Sequence, residues 1–215
     1  MRISGTNSKT AGSAITGGIV TGVLALTAAA CSSTPSAAPA APASPSHHAM
    51  ASHHPMAETA RFGSDCGMVP ATGMGSFHGM SMEPAATAAS HNPLLTSFAK
   101  DIKAAGLTAD LNSMHAITVF APANTAFAKL PASEMTMMHS PAELTKILKY
   151  HVVSGHITIA ELASGKPLTS LEGATLKPSK MGSVYEVNNA DIICGNIQTA
   201  NATVYIIRKV LTPMH

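Results

Sequence analysis

Residues 117–127 read Ile-Thr-Val-Phe-Ala-Pro-Ala-Asn-Thr-Ala-Phe. Ile117-Thr-Val-Phe120 is a β-branched and aromatic run, the composition of a strand. Ala121-Pro-Ala-Asn-Thr-Ala-Phe127 then predicts a turn into a short helix, with Asn124 placed to cap it and Phe127 returning to the core. A buried strand that passes straight into a helix belongs to a domain whose sheet is covered by helices.

The flanking sequence agrees. Upstream, Leu94, Phe98, Ile102 and Ala105 recur at helical spacing, with Asn92 as the expected cap, Pro93 at the first helical position and Gly106 at the end. Downstream, Ser140-Pro-Ala-Glu143 predicts a capping box opening a helix that buries Leu144, Ile147 and Leu148. Thr158-Ile-Ala-Glu161 predicts a shorter one. Further strands are signalled by Ala174–Leu176, Val184–Val187, Asp191–Ile193 and Val204–Ile207, with Gly173, Gly182 and Gly195 as turns. Helices dominate the first half and short strands the second, which implies an α+β domain with a mostly antiparallel sheet.

The residues before this domain have a different character. Arg2 and Lys9 precede an uncharged apolar stretch from Ala11 to Ala30, which reads as a secretory signal rather than a spanning helix. It ends in Leu26-Thr-Ala-Ala-Ala-Cys31, similar to a bacterial lipobox, with Ala28 where Leu is usual. Cys31 is the expected lipidation site, giving a membrane-tethered extracytoplasmic protein. Arg2 and Lys9 account for the whole formal charge of +2, so the rest of the chain is formally neutral. With 4% aromatics and no Trp it lacks the basic field and stacking rings of a nucleic-acid binder.

Ser32 to Pro45 contains only Ser, Thr, Pro and Ala, a spacer composition. Two His-His-x-Met elements follow, His47-His48-Ala-Met50 and His53-His54-Pro-Met56, with Met74, His78, Met80 and Met82 beyond them. Imidazole and thioether are copper ligands, the thioether preferring the reduced ion. His47, His48, Met50, His53, His54 and Met56 are therefore the candidate metal site, and copper the candidate cofactor. The same bias is also that of a plain low-complexity linker. The expected division is residues 1–30 as signal peptide, 31–90 as tail or linker, and 91–215 as the folded domain.

Three motifs resemble the fasciclin (FAS1) family. The 117–127 stretch is similar to its first signature, Tyr150-His151-Val-Val to its central Tyr-His element, and Ala202-Thr-Val-Tyr-Ile-Ile-Arg-Lys-Val-Leu-Thr-Pro213 to its closing one. Cys66, Gly79-Met-Ser-Met-Glu-Pro84 and Asn189-Ala-Asp-Ile-Ile-Cys194 resemble one subgroup, the mycobacterial secreted and lipid-anchored fasciclin antigens. Arg208 departs from the closing signature, where Asp is usual. The resemblance implies a single FAS1-like domain, short helices on a mostly antiparallel sheet wedge. It marks Phe120, Pro122, Asn124, Phe127, Tyr150 and His151 as motif residues. It also implies non-enzymatic adhesion to a host or matrix surface protein or glycan, and Asp191-Ile192 is similar to the Asp-Ile element by which some animal relatives engage integrins.

No nucleophile elbow, zinc-protease helix or phosphate loop is present in the sequence, and a structural hydrogen-bonding role is expected for His151. Beyond Cys31 the cysteines are Cys66 and Cys194, an even number for an oxidising compartment. A bridge between them would close a loop spanning most of the domain, worth up to ~5 kcal/mol in the chain-entropy model. The alternatives are two independent thiols, or a copper site that enlists Cys66 with nearby Met and His.

Overall fold

The computed structural model describes residues 60–213. Strand β1 (Ile117–Pro122) lies between β2 (Val152–Ser154), antiparallel, and β8 (Ala202–Ile207), parallel. Beyond β8 the sheet continues through β7 (Ala190–Gln198), β6 (Val184–Val187) and β5 (Pro178–Met181), all antiparallel. The order is β2-β1-β8-β7-β6-β5, with a separate antiparallel pair, β3 (Leu168–Thr169) and β4 (Thr175–Leu176). One parallel pair in an otherwise antiparallel sheet fits the α+β expectation.

Every residue of β1 and β8 is buried. The period-2 alternation of strands divides them between two cores. Ile117, Val119, Ala121, Ala202, Val204 and Ile206 face a helical layer that includes Phe98, Ile102, Leu111 and Leu148. Phe120, Tyr205 and Ile207 face Val153, Leu162, Leu168 and Leu176. A sheet covered on both faces needs apolar residues at every position, which is why β1 reads as a continuous run. Thr118 is the polar exception, and its hydroxyl donates to Gly155 O (2.7 Å) and accepts from Ile157 N (2.8 Å).

In chain order the helices are α1 (Phe77–Ser81), α2 (Ala85–His91), α3 (Thr96–Ala104), α4 (Thr108–Ser113), α5 (Asn124–Phe127), α6 (Ala132–Met138), α7 (Pro141–Tyr150) and α8 (Ile159–Ser164). Their caps depart from the expected ones in three places. Helix α3 opens four residues after Asn92, which is fully buried instead, its Oδ1 accepting from Leu94 N (2.9 Å) and its Nδ2 donating to Met80 Sδ (3.3 Å). Asn124 does cap a helix, though not its own: its Oδ1 accepts from Ser97 N at 2.9 Å, in the first turn of α3. At α7, Ser140 and Pro141 hold the expected positions, but Ser140 makes no side-chain cap and Glu143 takes Lys146 Nζ at 2.9 Å. The Thr158–Glu161 capping box is complete at α8, which closes on left-handed Gly165.

Within the expected linker, the described residues from Phe62 onward pack with the domain. Ala85, Ala86, Ala88 and Ala89 of α2 are all buried against the helical core, as are Met80 and Val69. An alanine-rich helix looks too poor in apolar area to pack, yet its small side chains let α2 sit close to its neighbours. Its first amides are satisfied from a distance, Ala85 N by Asn201 Oδ1 (2.8 Å) and Ala86 N by Asn112 Oδ1 (3.2 Å). Ahead of α1, residues 62–66 form a strap along β7. Phe62 and Gly195 exchange backbone hydrogen bonds, Asp65 N donates to Ile193 O, and Cys66 is disulfide-bonded to Cys194 across a separation of 128 residues. Gly195 is consequently not the expected turn. It lies within an irregular stretch of β7, where a Cβ would come 2.5 Å from Phe62 Cζ and 2.8 Å from Tyr205 Cδ1.

Candidate functional site: a buried Tyr-His hub and an open charged face

Helix α7 delivers Tyr150 and His151 to the junction of the cores, where the change from helix to strand leaves backbone groups to be satisfied. His151 is 1% exposed. Leu211 N donates to its Nε2 at 3.0 Å, so the proton sits on Nδ1, which donates to Ile147 O at 2.8 Å. Burial lowers its pKa to about 4, the Ile147 carbonyl opposing only in part. Tyr150, also buried, donates to Thr175 O (3.2 Å) and accepts from Asn188 Nδ2 (2.7 Å), and burial raises its pKa. The hub thus joins α7, the closing segment, β4 and the β6–β7 turn. Both ring nitrogens of His151 are therefore engaged with backbone groups.

The other motif residues are likewise engaged within the fold. Phe120 is fully buried and stacks on Tyr205 at 5.6 Å, Pro122 is buried, and Phe127 is half-buried between the helical core and the small cluster of Ala126, Ile147 and Val210. Tyr205, whose hydroxyl donates to Ile157 O at 2.6 Å, ties the closing signature to the loop before α8. Ile192 is 4% exposed, so Asp191-Ile192 cannot present both side chains to a partner. The strand alternation that exposes Asp191 buries its neighbour.

Asp191 instead forms part of an open, charged face. Arg208 Nη1 lies 4.0 Å from Asp191 Oδ2, and its Nη2 lies 3.5 Å from Asp65 Oδ2 on the strap. Clefts of about 380 and 390 Å3 flank this group, and Asp191 and Arg208 line both. The first is rimmed by Lys129, Glu134, Asn189 and Lys209, and the second by Phe62, Ser64, Ser183 and Val184. Asn188 and Asn189 both adopt left-handed backbone, as a two-residue hairpin turn between β6 and β7 requires. Of this face, Asp191 and Arg208 stand out in the sequence individually, while Asn189 and Lys209 fall only within longer motifs. The Asn-Asn pair between two strand patterns was an available turn signal, whereas the isolated lysines carried none.

Cys31 and the candidate metal ligands His47, His48, Met50, His53, His54 and Met56 lie outside the described residues. Of the outlying set, Met74, His78 and Met82 are exposed. Met80 is 2% exposed, its sulfur bonded by Asn92, and leaves the ligand set for the core. Cys66 is in the disulfide, which removes it from copper as well. Among the described residues no group of three or more His, Cys, Asp or Glu is arranged to hold a metal ion, and no helix is long and apolar enough to cross a membrane.

The model of the fasciclin domain matches residues 93–213. The chain belongs to the fasciclin family. It is 43% identical over 148 residues to the immunogenic protein MPB70 of Mycobacterium bovis, a match covering 66% of this chain and 75% of that one. With the cell surface glycolipoprotein MPT83 of Mycobacterium tuberculosis it shares 41% over 148 residues, 66% of each chain. A match this long exceeds residues 93–213, so the likeness reaches back into the N-terminal helices of this fasciclin domain. The solved fasciclin domain pair of the insect cell adhesion molecule Fasciclin I superposes with a TM-score of 0.52 at 14% identity, covering 62% of this chain and 52% of that one. That likeness concerns the fold alone.

Proposed function

We propose that this fasciclin protein is an extracytoplasmic lipoprotein, tethered through Cys31, that acts as a non-enzymatic cell-surface adhesion or interaction module. The observation that carries this reading is the state of the motif residues. Tyr150 and His151 are buried with their polar atoms bonded to the fold, so chemistry is spent on architecture and the exposed loops remain for contact. The name of one similar protein, a cell surface glycolipoprotein, supports the same class. The partner is a host or matrix surface protein or glycan. The experiment compares the full chain with Cys31→Ala and with a deletion of residues 32–57. The full chain partitions into detergent and binds host cells or matrix. Cys31→Ala becomes aqueous but still binds, and the deletion still binds. Equal partitioning of wild type and Cys31→Ala would remove the tether, and loss of all binding in the folded deletion variant would transfer function to the His/Met tail.

A further inference from the structure

The cleft between the α5–α6 loop, the β6–β7 turn and the segment after β8 gathers polar groups that the fold does not use. Lys129 and Lys209 are exposed and form no ion pair among the described residues. The exposed Asn189 is held towards the same cleft by its left-handed backbone, while its neighbour Asn188 is consumed by Tyr150 and Lys177. Arg208, which lines the same cleft, donates to Asp65 Oδ2 at 3.5 Å and lies 4.0 Å from Asp191 Oδ2.

We propose that this cleft binds an anionic polysaccharide, with Lys129, Lys209 and Arg208 taking its carboxylate or sulfate groups and Asn189, Glu134 and Asp191 its hydroxyls. Lys129 and Lys209, without an ion pair among the described residues, make an anion favourable. The two carboxylates on the same rim disfavour a dense polyanion such as nucleic acid, but suit a ligand whose charges are separated by hydroxyls. The clefts each fall within the ~300–1,000 Å3 range of ligand sites. Because they meet at the Asp191–Arg208 pair, the ligand is a chain crossing that pair rather than a single ion. The inference rests on the adhesion reading and names the partner's chemistry.

The test is calorimetric titration of the full chain with oligogalacturonate, heparin-derived oligosaccharide, neutral dextran oligomer and inorganic sulfate. At least one of the two acidic oligomers binds, dextran does not, and binding weakens as salt rises. The arm that binds identifies carboxylate or sulfate as the recognised group. Lys129→Gln/Lys209→Gln weakens binding about tenfold, the size expected for two exposed charges. Asn189→Gly, which keeps the turn, also weakens it. Both variants melt like wild type, and Lys100→Gln/Lys103→Gln on α3 binds normally. Unchanged affinity in the cleft variants, equal binding of dextran, inorganic sulfate as tight as the oligomers, or no binding of either acidic oligomer would each overturn the site. Cell capture by the same preparations separates the two claims: capture without oligomer binding sinks the cleft and leaves adhesion, and oligomer binding without capture does the reverse.

Discussion

His151 takes part in the fold only as a neutral ring. A second proton on Nε2 would face Leu211 N–H and place a charge in the core. Its folded pKa, about 4, lies below the ordinary ~6.5, so the unfolded chain takes up the proton first as pH falls. The stability it contributes is present in full above pH ~6.5 and is lost between there and pH ~4, roughly 3 kcal/mol in all. Denaturant titrations of wild type should therefore give midpoints that drop steeply over this window. His151→Gln should begin less stable at pH 7 by about 2 kcal/mol, having lost buried hydrogen bonds, but vary far less across the same range. Parallel curves for the two proteins would show that another group carries the pH dependence.

The strap is an element in the sense that strands are, because it fills a vacancy in the sheet. Strand β6 pairs with β7 only at Asp191 and Ala190, which leaves the next stretch of β7 without a strand on that side. Phe62 and Asp65 occupy it, Phe62 rests 4.7 Å from the Tyr185 ring, and the disulfide holds the arrangement. Cys66→Ser should cost about 2–5 kcal/mol. Amide exchange should accelerate first at Phe62 and Asp65, while β1 and β8 stay protected; uniform acceleration over the domain would mean the strap is no separate unit. This element also marks where sequence reading stopped. The strands of β1, β6 and β8 and the helix containing Phe98 and Ile102 were legible because periodicity is a local signal. Of the strap, the Cys66–Cys194 link was legible from the even pair of cysteines, but its backbone pairing with β7 and the packing of α2 were not, since these depend on Gly195 and Asn201 far along the chain. Asn124 was read correctly as a cap but assigned to its own helix, because a cap supplied across tertiary space leaves no mark on spacing. In the charged face, Arg208 stood out as a departure from a signature, whereas Lys129 and Lys209 acquire meaning only from the cleft they rim.

On the scale of the whole molecule, the helical and sheet cores are formed among the described residues, from Val69 to Leu211, and the two His-His-x-Met elements precede these in the sequence. Copper binding at those elements and domain stability should be independent. Competition titration should find weak binding of both copper states, falling as imidazole protonates near pH ~6.5. Replacing His47, His48, His53 and His54 with Ala should abolish it without moving the melting temperature. Tight, stoichiometric Cu(I) retained through native purification would make metal handling the leading function.

The parallel partnership of β1 and β8 sets Ile117 beside Ala202 and Pro122 beside Ile207. Strand β1 therefore has no neighbour on that side until nearly the last stretch of chain has been delivered, and long-range pairing of this kind is slow because loop closure must precede the contacts that reward it. A chain threaded across a bilayer from its N-terminus would emerge with its central strand unmatched and stay open until the closing signature followed. The ordering keeps a partly threaded polypeptide open: with β1 on one side and β8 on the other, neither side holds both halves of the central pairing.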